Sequence, residues 1–231
     1  MSLKLLSALA ASLLLLGGCV QNDTPDYTPP ERGDPAFLKG KNTRADQLYM
    51  NVDSPAGGRD FRNIYIAPAN LSKIQIIQPE GAKADDKWKV DDIESGILQK
   101  SIHTEFATAL SYESAFNIVD SRDKAEIIVH TTVVAIHPNT TRAEIAAGSK
   151  TGGAITASIS LVNASTGDVM VRSVDTKSSD NIWAFNQVSN DDPAINLIFR
   201  SWGNSLRRGI LHLQGRSSDP LAQPIKLKEQ Q

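Results

Sequence analysis

The pattern of apolar and polar positions divides the chain into three stretches. Residues 5–16 form one apolar run broken only by Ser7 and Ser12, residues 20–60 are polar and proline-rich with scattered large side chains, and from Phe61 onward short alternating runs trade with longer helical ones. The third stretch carries the fold. "FRNIYIAPA" alternates β-branched and aromatic residues until Pro68 stops it, which predicts a first strand, and "LSKIQII" predicts an extension or a short edge strand. From Trp88 to Tyr112 the period becomes helical, with Val90, Ile93, Ile97, Ile102, Phe106, Ala109 and Leu110 on one stripe. Asp91, Asp92 and Glu94 lie in the first turn, where the helix dipole favours negative charge.

"AFNIV" reads as the next strand and "DSRDK" as a turn. "AEIIVHTTVVAI", "GAITASISLVNAST" and "GDVMVRSVDT" predict three long antiparallel strands, the last two forming a hairpin around Ser165, Thr166 and Gly167. Between the first of them and the hairpin, "HPNTTRAEIAAGSKTGG" loses its alternation and gathers glycines, so a long loop is expected there. A closing helix is announced by Asp191 or Asp192 as N-cap, Pro193 at the first helical position and Gly215 after the end. Its stripe is Ile195, Ile198, Trp202, Leu206, Ile210 and Leu213, with Arg200, Arg207 and Arg208 placed on the other face. The order implies an α+β fold: a mixed, largely antiparallel sheet of four or five strands with two main helices packed on one face.

Residues 19–60 read as a tether because "QNDTPDYTPPERGDP" buries too little apolar surface to offset the entropy of ordering it. Within it, "TRADQLYM" could form a short helix docked on the domain. The domain then spans 61–215, and 216–231 reads as a flexible tail.

The amino terminus changes the picture most. Met1 and Lys4 precede a largely apolar run of a dozen residues, too few for a helix that needs about 20 to span the hydrocarbon layer. This is the layout of a secretory signal. The only cysteine of the chain, Cys19, ends the sequence Leu16-Gly17-Gly18-Cys19. That tetrapeptide resembles the lipobox of bacterial lipoproteins. The resemblance implies cleavage between Gly18 and Cys19, a diacylglyceryl group on the Cys19 thiol, and acylation of the new amino terminus, commonly by palmitate. Two or more acyl chains hold a protein stably at a membrane, whereas one does so only marginally. Val20 stands where retention in the inner membrane typically uses aspartate, so the resemblance points to the outer membrane of a Gram-negative bacterium.

Loss of residues 1–18 removes Lys4 and takes the formal charge from −2 to −3, with no basic patch for phosphate neutralisation. Nucleic acid is therefore not an expected partner. With no second cysteine, stability must come from a hydrophobic core.

Candidate chemistry is sparse. Ser121-x-x-Lys124, Lys150-Thr-Gly152 and Ser179-Asp180-Asn181 match the three motifs of serine β-lactamases and penicillin-binding proteins. Their order differs from that of the enzymes, and Ser121 falls in a turn rather than at the start of a buried helix. They read as turn and loop segments. His103, His130, His137 and His212 lack carboxylate or thiolate neighbours at ligand spacing, so no metal or other cofactor is expected. The seven-residue step from His130 to His137 places them on opposite faces of a regular strand. Trp202 belongs to the core stripe and Trp88 staples the start of its helix. Trp183 and Phe185, between the last strand and the last helix, either cover the sheet edge or stand exposed as partner-binding residues.

"FRNIYIAPANL", "AFNIVDSRDKAEIIVHTTV", "SISLVNASTGDVMVRSVD" and the closing tryptophan-bearing helix together resemble a family of Gram-negative lipoproteins of unknown function, over roughly residues 60–214. More distantly the layout is similar to envelope-assembly lipoproteins: penicillin-binding-protein activators, the curli-export lipoprotein and the amino-terminal domain of TolB. Those act by binding partners. The resemblance implies a lipid-anchored protein whose periplasmic domain binds an envelope protein or glycan and is not an enzyme. The alternative is an envelope hydrolase with an unrecognised active site, which a deep cleft with convergent polar groups would favour.

Overall fold

A computed structural model describes residues 37–41, 45–51, 53, 60–149, 152–180, 182, 194–216 and 226–227. Its centre is a three-strand antiparallel ladder made of β6 (Ile127–Pro138), β7 (Gly153–Asn163) and β8 (Val169–Ser179). On the β6 side follow β3 (Asn63–Ile66) and β5 (Asn117–Val119), both parallel, and the two-residue β4 (Gln75–Ile76) also pairs with β6. On the β8 side lie β2 (Gln47–Asn51), β1 (Phe37–Lys41) and β9 (Lys226–Leu227), all antiparallel. The sheet order is β5-β3-β6-β7-β8-β2-β1-β9.

The expected α+β architecture is thus present in outline, as a mixed sheet, but the count of four or five strands is corrected to nine among the described residues. Three of the additional strands lie outside the stretch read as the domain: β1 and β2 fall in the stretch assigned to the tether, β9 in the one assigned to the tail. "TRADQLYM" does not yield a helix; its last four residues are four of the five in β2, which pairs with β8 from Gln47↔Val174 to Met50↔Val171. The physical reason is tertiary. Leu48 packs against the core and β8 offers a free edge, and both outweigh a weak local helical preference.

Helix α1 (Asp92–Ser111) begins with a capping box in which Asp91 accepts from the Glu94 amide and Glu94 accepts from the Asp91 amide. Its buried stripe is Leu98, Ile102, Phe106, Ala109 and Leu110, and Ile93, expected on that stripe, is 75% exposed. Buried Glu94 and Glu105 occupy the inward face in its place. The loop expected between β6 and β7 contains a short helix, α2 (Arg142–Ala146), capped reciprocally by Thr141 and Glu144. Helix α3 (Ala194–Leu213) buries Ile195, Ile198, Trp202 and Ile210 as its stripe requires, together with Phe199 and Gly203. Its expected caps, Asp191, Asp192 and Pro193, lie outside the described residues.

α1 and α3 run parallel and close together. A Cβ on Gly203 would lie 2.7 Å from the Ala109 Cβ, so glycine is what permits the approach. The stripe places the arginines of α3 on the outer face, but two of them face α1. Arg200 donates to the buried Glu105 carboxylate at 2.7 and 3.2 Å, and the Arg207 guanidinium lies 5.1 Å from the Tyr112 ring centre. A buried carboxylate needs such a partner, and Glu105 on the inward face of α1 decides where Arg200 points.

Alternate residues of the central strands (Ile127, Val129 and Val133; Leu161, Ile159, Ala157 and Ile155) join both long helices in one core. A β-bulge at Val134 then shifts the phase, so that Ile136 returns to the same face as Val133. The bulge also overturns the expectation for the histidines. His130 pairs with Ser160 and His137 with Ala154, residues of equal parity on β7, so both face away from the helices. They sit six ladder positions apart, roughly 20 Å at ~3.4 Å per residue, too far to share a ligand.

Candidate functional site

The ladder ends differently at its two extremities. At the β7–β8 turn, buried Asn163 accepts on Oδ1 from the Ser165 amide and hydroxyl at 3.0 and 2.8 Å and from the Thr166 amide at 3.4 Å. This is the Asx-type bonding that makes asparagine a turn residue, and it leaves the end closed.

At the opposite, distal end the strands stop at Pro138, Gly153 and Ser179, which lie in one row. Proline cannot donate to a ladder. One further rung forms when the Asn139 amide donates to the Gly152 carbonyl at 3.0 Å. The two glycines are dictated by crowding. A Cβ on Gly153 would lie 2.4 Å from the His137 carbonyl oxygen, and one on Gly152 would lie 3.0 Å from Asn139 Nδ2 and 3.2 Å from the Ser179 oxygen.

Beside these glycines is a notch of about 340 Å3. His137 and Asn139 contribute from the end of β6, Ala154 from β7, and Ser178, Ser179 and Asp180 from the end of β8. One row further in on the same face, the hydroxyls of Thr156 and Thr176 are hydrogen-bonded at 3.0 Å. The rim is held by α2 and the start of α1. The Trp88 indole donates to the Thr140 carbonyl at 2.8 Å, Gln78 brackets the Trp88 backbone, and the Arg142 guanidinium stacks 4.5 Å from the Trp88 ring centre. Through these contacts Trp88, which lies just before α1, fixes the strand end beside the notch.

Of the residues singled out in the sequence, Gly18, Cys19, Trp183 and Phe185 lie outside the described residues. The three β-lactamase-like motifs separate. Gly152 and the Ser179-Asp180 pair meet at the notch, with Lys150, Thr151 and Asn181 outside the described residues. Ser121 instead caps a 3-10 turn (Arg122–Lys124) near the other extremity, roughly 25 Å away along β6 at ~3.3 Å per residue. There the Lys124 ammonium donates to Asp120 at 2.9 Å. Hydrogen bonding and charge from Lys124, with a smaller share from Ser121, hold the Asp120 carboxyl below its usual range.

Burial, and then the charge of Arg122, push the His130 imidazole below its usual range, and its Nδ1 has no hydrogen-bond partner. Among the described residues no group of three or more His, Cys, Asp or Glu is placed to hold a metal ion. None of the described helices is long and apolar enough to cross a membrane.

The notch was not singled out in the sequence. Its signals were the clustered glycines and the "HPN" stop, which mark a strand end without showing that β8 would bring Ser178 and Asp180 beside it.

No protein-family model matches the chain, and no curated protein matches it. Some solved structures have a partial likeness. The PelC dodecamer from Paraburkholderia phytofirmans is 14% identical, with 71% of this chain and 94% of that one covered at a TM-score of 0.36. A DUF330 protein from Xanthomonas campestris is 12% identical, covering 72% and 91% at a TM-score of 0.42. A lipoprotein from Neisseria meningitidis is 9% identical, covering 61% and 94% at a TM-score of 0.32. Likenesses of this degree assign neither a family nor an activity.

Proposed function

We propose that this chain is a lipid-anchored lipoprotein of the Gram-negative outer membrane, cleaved after Gly18 and diacylated on Cys19. Its periplasmic domain acts as a binding or scaffolding module in envelope assembly or maintenance, not as an enzyme. The observation that carries the reading is Leu16-Gly17-Gly18-Cys19 at the end of a short apolar run, in a chain with no other cysteine. Small residues at 17 and 18 let a peptidase approach the backbone, and a lone thiol at that point has lipid attachment as its chemical use. A domain in which the polar groups of one ladder end are gathered around a notch supports binding. Trp183 and Phe185, which follow Asp180 closely in sequence, are the proposed partner-binding side chains.

Ser121 of the Ser-x-x-Lys match, read as a turn residue, lies at the other extremity from the notch. The reading is tested by metabolic labelling with a fatty-acid analogue in cells producing the wild-type chain or Cys19→Ala. The wild type is expected to take up label and sediment with the outer membrane. The variant is expected to do neither; equal labelling of both would end the reading.

A further inference from the structure

The lining of the distal notch restricts what it can hold. Among the described residues that line it there is neither lysine nor arginine. Among the same residues Ala154 supplies the only apolar side chain, too little wall for a lipid chain or an aromatic ligand. The donors and acceptors are those of a hydroxyl-rich ligand: the Asn139 amide, the His137 imidazole and the Ser178 hydroxyl. Asp180 is exposed and is the one carboxylate among the described lining residues. At about 340 Å3 the notch lies near the lower end of the ~300–1,000 Å3 range of small-ligand sites, space for one or two sugar rings.

We propose that the notch at the distal end of β6, β7 and β8 is a saccharide subsite for an amino sugar, with Asp180 facing its nitrogen and Asn139 and Ser178 its ring hydroxyls. The inference deepens the reading of the domain as an envelope binding module, by naming a glycan as what it binds. Gly152 and Gly153 serve the site by letting three strand ends converge, since a side chain at either would force the strands apart.

The test is an NMR titration of the full mature chain in detergent micelles with glucosamine and, separately, with N-acetylglucosamine, following the amides of Gly153, Ser178 and Ser179. Saturable shifts at those amides are expected, with a Kd on the order of 1 mM. Glucosamine, carrying an ammonium, is expected to bind roughly two- to fivefold tighter, the worth of an exposed ion pair. Asp180→Asn should abolish that preference and keep N-acetylglucosamine binding. Ala154→Trp, which fills the notch, should abolish both; if it fails to fold, as judged by its unfolding curve, Ser178→Trp replaces it. No saturable shift with either sugar, or shifts that survive filling of the notch, would overturn the proposal. Because fatty-acid labelling of Cys19 is read independently, failure of the subsite and failure of the lipoprotein reading remain distinguishable.

Discussion

The β7–β8 turn and the distal end of the ladder are built from similar residues, asparagine, serine, threonine, glycine and aspartate, and use them in opposite ways. At the turn, one buried asparagine oxygen takes three donors and the chain closes on itself. At the distal end, Asn139, Ser178 and Asp180 are exposed around a notch, and the glycines bring backbones together. Composition alone does not separate a polar cluster that serves the fold from one that faces outward. What separates them is where each hydrogen bond goes.

This difference can be broken experimentally. The largest effect is expected from Gly153→Ala, because the new methyl meets the His137 backbone carbonyl rather than a flexible side chain. A loss of about 3 kcal/mol is expected in denaturant unfolding. An unchanged midpoint would mean that the strands part easily. Asn163→Ala removes the buried acceptor that organises the turn and should cost about 1 kcal/mol, since it takes one acceptor from the Ser165 and Thr166 amides at once.

A smaller effect concerns pH. His130 titrates in the folded protein below its usual 6.5, so as pH falls through 6.5 the unfolded chain binds protons first. Its contribution to stability is therefore full above about 6.5 and declines as pH falls toward the folded value. His130→Asn should flatten that part of the stability profile; an identical slope in the variant would contradict the burial of the imidazole. The smallest effect is expected at the notch: Asp180→Ala should change stability by less than about 0.5 kcal/mol, since the side chain is exposed. A cost like that of Asn163→Ala would show that both ends serve the fold.

The elements most legible in the sequence were those whose pattern is long enough to carry a period. β6, β7 and β8 run for 12, 11 and 11 residues and carry their period plainly, as does the stripe of α3; at the start of α1 the acidic turn is legible, the capping box of Asp91 and Glu94 is not. β1, β2 and β9 are five, five and two residues long, and β2 forms against an edge that sequence period does not reveal. The phase of β6 was misread because one bulged residue, Val134, turns an odd spacing into an even one, and so His137 reaches the face it does. The arginines of α3 were misplaced because their partners, Glu105 and Tyr112, lie on another helix. The notch was illegible for a similar reason, since its walls come from three strand ends separated by loops. The proposed anchor is the reverse case, since Leu16-Gly17-Gly18-Cys19 is a local motif whose resemblance needs no tertiary context.

The account rests on the domain being held at a membrane through Cys19. The most direct measurement is the mass of the amino-terminal peptide of the chain extracted from outer membranes. The account predicts a peptide that begins at Cys19 and carries a thioether-linked diacylglyceryl group and an amide-linked acyl chain. A chain that retains residues 1–18, or one that begins elsewhere with its Cys19 thiol free, would contradict it.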